Sequence, residues 1–205
     1  MSSLAGRFIV FDGGEGCGKS TQARLLQQRL EREGYQIISV RDPGTTRIGE
    51  LIRAILLNPD HDEMSMRSEM LLYMAARAQM MTETILPALA AGKIVLCDRF
   101  VSSTLSYQLG GDGLTAAEIR GVADIALKGR WPDMTLIFDM PTDRSIARVN
   151  RAKDRIEQRP AEYHEQVRQN YLAQVKADPA HYRVINADRS VEEVQEEVWR
   201  VVNSI

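Results

Sequence analysis

The stretch GGEGCGKST, residues 13–21, sets Gly13, Gly18, Lys19 and Ser20 at the spacing G-x-x-x-x-G-K-[ST]. Each of these residue types answers a need of phosphate chemistry. Glycines let the backbone curl until several N–H groups face one anion. A helix that starts just after the loop adds its partly positive N-terminus. Lys19 supplies a mobile cation for β- and γ-phosphates, and Ser20 offers a hydroxyl to Mg2+, a hard ion that takes oxygen ligands. The motif is informative only between a strand and a helix. Here the apolar run RFIVFD precedes it, and Ala23, Leu26 and Leu30 follow at helical spacing. The loop therefore reads as the seat of a nucleoside triphosphate, with ATP as the expected donor. Gly14, Glu15, Gly16, Cys17 and Thr21 complete it.

A second group of residues could serve a second phosphate. CDRF, residues 97–100, ends another apolar run. A carboxylate at a strand's carboxyl end lies in the crevice where parallel sheets bind ligands, so Asp98 is the candidate for orienting Mg2+, directly or through water. Arg99 points to the same crevice. Arg41 ends a further run in RDPGTT, and Arg77 sits within a long helical pattern. Arg148, Arg151 and Arg155 recur at spacings of three and four, which puts them on one face of a helix. Any one of these three reads equally well as a surface cation paired with Asp154 or Glu157; three on one face favour function. Such a set suits transfer to a phosphorylated acceptor. A switch GTPase would carry N-K-x-D after a strand, which this chain lacks, and a motor or transporter ATPase would be longer.

The elements that must position these groups are legible as apolar runs. RFIVFD (7–12), QIISV (36–40), KIVLCD (93–98), MTLIFDM (134–140) and YRVIN (182–186) are continuous rather than alternating, as in strands buried on both faces. Helical patterns lie between them. One closes at Gly34. A long one covers about 68–91, with Leu71, Met74, Ala78, Met81 and Ile85 on one stripe and Pro87 near its end. Others cover 115–128, 142–152, 160–176 and 190–203. Strand–helix alternation predicts an α/β fold with helices on both faces of a parallel sheet. We expect one domain over residues 1–205, with a short polar lid at 148–158.

Composition narrows the class. The chain has 205 residues, 44% of them hydrophobic, enough for a real core. A net charge of −2 disfavours sequence-wide nucleic-acid binding. No apolar run reaches membrane-spanning length, and the first residues lack a basic segment followed by a long apolar one, so no secretory signal is expected. Cys17 and Cys97 have no metal-type spacing and read as free thiols in a reducing cytosol, hence a cytoplasmic place. His61, His164 and His181 are scattered, and no metal or catalytic role is assigned to them.

The segments FIVFDGGEGCGKST, RDPGTT, LLYMAARAQ, CDRFVSSTLSYQ, DRIEQ and NADRS occur in the order found in thymidylate kinases. The chain resembles that family nearly end to end. The glycine motif is common to many NTPases, whereas DPGTT, AAR and DRF…SYQ together are far more specific. The resemblance implies a three-layer P-loop NTPase fold on a five-stranded parallel sheet, conversion of dTMP to dTDP with ATP and Mg2+, and a homodimer built on packed helices. It also implies roles. Tyr73 takes the aromatic position that stacks on thymine, flat ring on flat base. Arg77 matches the arginine that reaches the base carbonyl. Arg41 and Arg99 match the cations that hold the dTMP phosphate, where a guanidinium makes paired bonds. Asp12 and Pro43 belong to the same acceptor seat. Ser103, Thr104, Tyr107 and Gln108 line the nucleoside, with Tyr107 crowding the ribose 2′ position. Glu15 lies near the sugar 3′-hydroxyl and the metal. Residues 186–189, Asn186 and Asp188 among them, cradle adenine. Gly16 stands where one branch of the family carries a P-loop arginine, so the catalytic arginines expected are Arg148, Arg151 and Arg155 of the lid. The chain departs from the common R-E-P-G-G-T at Asp42 and Thr45, and Leu109 follows YQ where Gly is usual. Thr45 restricts the backbone of that loop.

The chemistry so implied needs no general base. A phosphate monoester has its second pKa near about 6, so dTMP is largely a dianion at neutral pH. The work is alignment and charge neutralisation, with Arg151 or Arg155 expected to carry most of it and Arg148 to be secondary. Two rivals stand beside this reading. One is another nucleotide-type kinase on the same core; the other is a nucleotide-binding switch without transfer.

Overall fold

The computed structural model describes residues 4–148, 152 and 154–205. All five apolar runs are strands: β1 Phe8–Gly13, β2 Ile37–Arg41, β3 Ile94–Asp98, β4 Met134–Asp139 and β5 Tyr182–Asn186. They form one parallel sheet in the order β2-β3-β1-β4-β5. Between them run α1 Lys19–Arg32, α2 Arg47–Leu57, α3 Met66–Met80, α4 Leu86–Ala90, α5 Val101–Tyr107, α6 Ala116–Leu127, α7 Thr142–Ala147, α8 Ala161–Ala177 and α9 Val191–Val202.

The unbroken apolarity of β1 and β3 has its cause in two-sided burial. Phe8, Val10, Val95 and Cys97 join a core with Met70, Met74, Ile119 and Leu127 of α3 and α6. Their neighbours Ile9, Phe11, Ile94 and Leu96 join a second core with Leu26, Leu30, Val194 and Val198 of α1 and α9. A third, smaller core gathers Tyr107, Ile137, Val167 and Tyr171 where α8 meets α5 and β4.

Three expectations need correction. The pattern over 68–91 is helical but not uniform: α3 passes into a π-turn at Met81–Ile85 and then into α4. Pro87 has no N–H to give the preceding turn, and a wider turn absorbs the lost bond. Leu71, expected on the buried stripe, is 50% exposed and Met70 faces the core in its place, whereas Met74, Met81 and Ile85 of that stripe are buried as expected. The helix expected over 142–152 ends at Ala147, with Arg148 as its C-terminal cap. Arg155 lies in a separate turn. There Asp154 accepts the N–H groups of Ile156 and Glu157, each at 3.0 Å, and its own N–H goes to Glu157 at 3.1 Å. Such local side-chain bonds compete with helix. Arg148 and Arg155 therefore do not share a helix face, and Arg151 lies outside the described residues. The short helices α2 and α5 go beyond the expected ones. All seven residues of α5 are buried, so it shows no amphipathic stripe.

Register sets up the site. Arg41 lies beside Asp98, and Asp98 beside Phe11. The carboxyl ends of β2, β3 and β1 thus stand in a row, with the glycine loop leaving β1 next to them.

Candidate active site

The loop after β1 is shaped from below as much as from within. Gly13 has φ +134°, and a Cβ there would run into the Phe138 carbonyl of β4, so the neighbouring strand alone demands glycine. The first turn of α1 carries no acidic residue, which leaves its positive end free for an anion. Lys19 is buried, and its Nζ donates to the carbonyls of Gly13 at 3.2 Å and Gly14 at 2.5 Å, with Cys17 Sγ at 3.7 Å. Cys17 in turn donates its Sγ–H to the Gly14 carbonyl at 2.9 Å. Ser20 Oγ donates to Asp98 Oδ2 at 2.6 Å, which joins two oxygen groups from opposite sides of the crevice.

Asp12, fully buried at the end of β1, organises the junction behind the loop. It accepts from Gly13 N at 2.9 Å, Ser103 Oγ at 2.8 Å, Tyr171 OH at 2.6 Å and the Ser102 hydroxyl. Arg99 lies against this group at φ +68°, a left-handed conformation that costs an ordinary residue about 1 kcal/mol. It is held by Gly13 O at 3.0 Å, Ser103 Oγ at 3.2 Å, Asp12 at 3.4 Å and an ion pair with Glu15. Burial works against the Arg99 charge. The facing carboxylates, Glu15 first and then Asp12, work the other way, and the guanidinium pKa lies above the ordinary arginine range. Burial likewise raises the Tyr107 and Tyr171 hydroxyls, so both stay neutral.

In front of the loop opens a chamber of about 1270 Å³, open solvent included. Lys19, Ser20 and Thr21 of the glycine loop border it, together with Asp98, Arg99, Arg41, Pro43, Tyr73, Arg77, Ser103, Thr104, Tyr107 and Gln108. Arg77, with no exposed surface, is held at Nε and at both terminal nitrogens while it borders the chamber. Nε donates to Asp42 at 2.6 Å, one terminal nitrogen to Thr104 Oγ1 at 2.8 Å, and the other to Phe100 O at 2.8 Å. Its guanidinium carbon lies 5.6 Å from the Tyr73 ring centre. Burial lifts the Asp42 pKa to about 6, against the pull of Arg77. Arg41 makes two bonds to Glu50, at 3.0 and 3.1 Å, in an exposed position.

Thr45 keeps the loop between β2 and α2 closed in spite of its side chain. At φ +70°, its hydroxyl accepts Arg41 N–H at 2.8 Å and donates to Arg41 O at 3.1 Å, while its N–H reaches Glu50 at 2.8 Å. Glu50 is held below the usual carboxylate range, first by that N–H and, against the opposing effect of burial, by Arg41 as well.

Some candidates fall outside the chamber. Arg148 is exposed at the end of α7. Arg155 is buried, donates to Leu56 O at 3.0 Å and pairs with Glu69. Asn186 and Asp188 lie at the end of β5; Asn186 Oδ1 accepts Asp188 N–H at 3.0 Å, and Asp188 pairs with Arg144. Other residues bear on the site without a sequence signal. Arg53 borders the chamber from α2 and donates to Pro43 O at 3.0 Å. Tyr171 reaches Asp12 from a helix 159 residues away. Glu69, on α3, collects Gln108, Arg155 and Arg159.

A phosphate cradle between strand and helix faces an arginine-lined chamber across one sheet edge, and this defines a P-loop nucleotide phosphotransferase. The thymidylate kinase family model matches residues 11–198. A thymidylate kinase of Exiguobacterium sibiricum is 42% identical over 201 residues, covering 97% of this chain and 95% of its own length. Another, from Pelotomaculum thermopropionicum, is 43% identical over 98% of this chain and 95% of its own. The crystal structure of thymidylate kinase from Ehrlichia chaffeensis superposes with a TM-score of 0.80 at 30% identity, covering 97% of this chain and 99% of that one. The chain belongs to the thymidylate kinase family.

Proposed function

We propose that the chain transfers the γ-phosphoryl group of ATP to dTMP, giving dTDP, with the glycine loop as donor seat and the arginine-lined chamber as acceptor seat. The observation that carries this is the placement of Arg99. It is bonded to the loop through Glu15 and Gly13 O, and it borders the chamber where an acceptor phosphate would meet the donor. Lys19 takes the donor phosphates by exchanging its loop carbonyls for them. Arg99, Arg41 and Arg53 hold the acceptor phosphate; Arg41 does so by leaving Glu50. Because the dTMP phosphate is already ionised, these cations align and neutralise, and no side chain removes a proton. Tyr73 stacks on the base, and Arg77 meets its carbonyl. Ser103, Thr104, Tyr107 and Gln108 enclose the nucleoside, with Asp12 and Pro43 behind them. Glu15 lies toward the sugar and the metal, and Asn186 and Asp188 toward adenine. Arg148, Arg151 and Arg155 complete the charge neutralisation from the lid; for Arg155 this requires release from Glu69.

Ser20 and Asp98 fit Mg2+. Both offer hard oxygen atoms, and among the described residues no three acids, histidines or cysteines cluster to hold a metal. That suits an ion drawing most of its ligands from phosphate and water. When bound, the ion neutralises charge on the β- and γ-phosphates.

A homodimer is supported by α2 and α3, which pack together and expose Ile48, Leu51, Ile55 and Leu71. Exposed apolar side chains grouped on adjoining helices suit an interface. Two buried free thiols, Cys17 and Cys97, agree with a cytoplasmic place. No described helix is long and apolar enough to cross a membrane.

The test is ADP production from ATP with dTMP, dUMP, dGMP or thymidine. ADP should form fastest with dTMP. ADP formed at an equal rate with no acceptor would sink the proposal in favour of a hydrolytic switch.

A further inference from the structure

We infer that Glu69, which borders neither seat, sets which pyrimidine the chamber accepts, by fixing the side-chain amide of Gln108. The inference rests on reading the chamber as the dTMP seat.

Glu69 has no exposed surface. Its Oε2 receives Arg159 at 2.9 Å and a close Arg155, two guanidinium donors. Arg155 is itself anchored to Leu56 O at 3.0 Å; Arg159, over the Tyr163 ring at 4.6 Å, keeps Glu69 in place when Arg155 is released. Glu69 Oε1 is left for Gln108, whose Nε2 donates to it at 2.5 Å. That bond turns the Gln108 NH2 toward Glu69, since a carboxylate oxygen takes it as acceptor. The Gln108 carbonyl oxygen then has no partner among the described residues, although it is buried and its residue borders the chamber.

The chamber wall therefore offers a fixed acceptor at Gln108 and a fixed donor at Arg77, which Asp42, Thr104 and Phe100 O hold in place. A pyrimidine with a lactam edge matches this pair: its N3–H faces the Gln108 oxygen, and its C4 carbonyl faces Arg77. A 4-aminopyrimidine presents the reverse, with the N3 lone pair against the oxygen and the amine against the guanidinium. Each mismatch leaves a buried polar group unpaired. With Glu69 neutralised, the Gln108 amide is free to turn over and offer NH2 to that N3. The C5 position takes no part, so the device separates thymine and uracil from cytosine and is blind to the methyl group. Glu69 is thus a positioning residue for specificity.

The experiment measures Kd by calorimetry for dTMP, dUMP and dCMP with wild type, Glu69→Gln, Gln108→Leu and the double variant. Wild type should bind dCMP at least about 100-fold more weakly than dTMP. Glu69→Gln should narrow that ratio by at least about tenfold, partly through a gain in dCMP affinity, with the dTMP-to-dUMP ratio unchanged. In the Gln108→Leu background, Glu69→Gln should change the ratio no further. Equal weakening of all three nucleotides, or an effect undiminished without Gln108, overturns the inference while leaving the functional reading intact. If Glu69→Gln does not fold, Gln108→Leu decides alone, and an unchanged dTMP-to-dCMP ratio overturns it. Wild type that binds none of the three fells the functional reading itself, and the inference with it.

Discussion

The donor seat and the acceptor seat lie side by side and are built in opposite ways. Nine consecutive residues, 13–21, make the first, and its polar contacts are largely to its own backbone. The second draws on β2, the loop after it, α2, α3, β3 and α5, and its charges are locked in pairs: Arg77 with Asp42, Arg41 with Glu50, Arg99 with Glu15. A triphosphate tail is the same on every nucleoside, so a curled main chain suffices for it. An acceptor must be chosen, and choice needs side chains held in fixed directions. Burying ions to hold them is costly, and on the acceptor side the chain buries Arg77 and Asp42 together.

The sharpest way to separate the halves is Lys19→Ala. Loss of the donor-side cation should lower kcat by about 10³-fold, the upper end of what one stabilising donor contributes. The dTMP Kd, measured without ATP, should change less than about threefold, because Lys19 makes no described contact with the acceptor arginines. A comparable loss of dTMP binding would show that the seats are not independent.

Protons probe the acceptor half alone. The Asp42 pKa is raised to about 6 by burial, so its carboxylate is lost as pH falls through about 6, and with it the clamp on Arg77. Thymidine, which has no phosphate to titrate, should bind up to about tenfold more weakly for each pH unit below 6. Asp42→Asn should remove that slope. The sign for stability is opposite. A folded pKa above the unfolded value of 3.8 means the folded state binds the proton more tightly, so this group's contribution is full below 3.8 and is lost as pH rises through 6. Melting temperature should therefore show a downward component over that window in the parent and none in Asp42→Asn. Thymidine binding that is flat with pH would break the link between Asp42 and base recognition.

The same contrast governs what was legible in the sequence. All five strands could be read, because two-faced burial removes alternation, and the glycine loop could be read because it is contiguous. Arg99 and Asp98 followed from their place at a strand end. Arg41 and Arg77 were singled out as cations for a second phosphate, but the nucleoside part of the acceptor seat was legible only through the resemblance, since Tyr73, Thr104 and Gln108 meet Arg77 through tertiary contacts that no spacing encodes. The lid failed for a local reason. The spacing of Arg148 and Arg155 suggested one helix, but the side chain of Asp154 takes two backbone N–H groups and makes a turn instead. Arg53, Glu69 and Tyr171 left no signal, because a charged or phenolic residue on a helix reads as solvated until its partner is known. Thr45 looked like a disruption of its loop and proved to close it.

Thr45 also offers the smallest and most discriminating test of how the acceptor half tolerates change. Its left-handed backbone costs a β-branched residue about 1–2 kcal/mol, which glycine would not incur. Its hydroxyl makes two bonds to the Arg41 backbone, at 2.8 and 3.1 Å. The position is exposed, so water can replace these bonds, and each is worth about 0.5–1.5 kcal/mol net. Thr45→Gly exchanges one effect for the other and should leave stability within about 1 kcal/mol of the parent, with the dTMP KM within about twofold. Thr45→Ala loses the hydroxyl and keeps the strained backbone, so it should be the less stable of the two by about 1 kcal/mol in chemical denaturation. The Thr45 N–H to Glu50 survives in both variants, so Glu50 should stay in place to hold Arg41 until a phosphate takes it. Equal destabilisation by Gly and Ala would mean that the hydroxyl alone sets the shape of the loop and that its backbone conformation carries no strain.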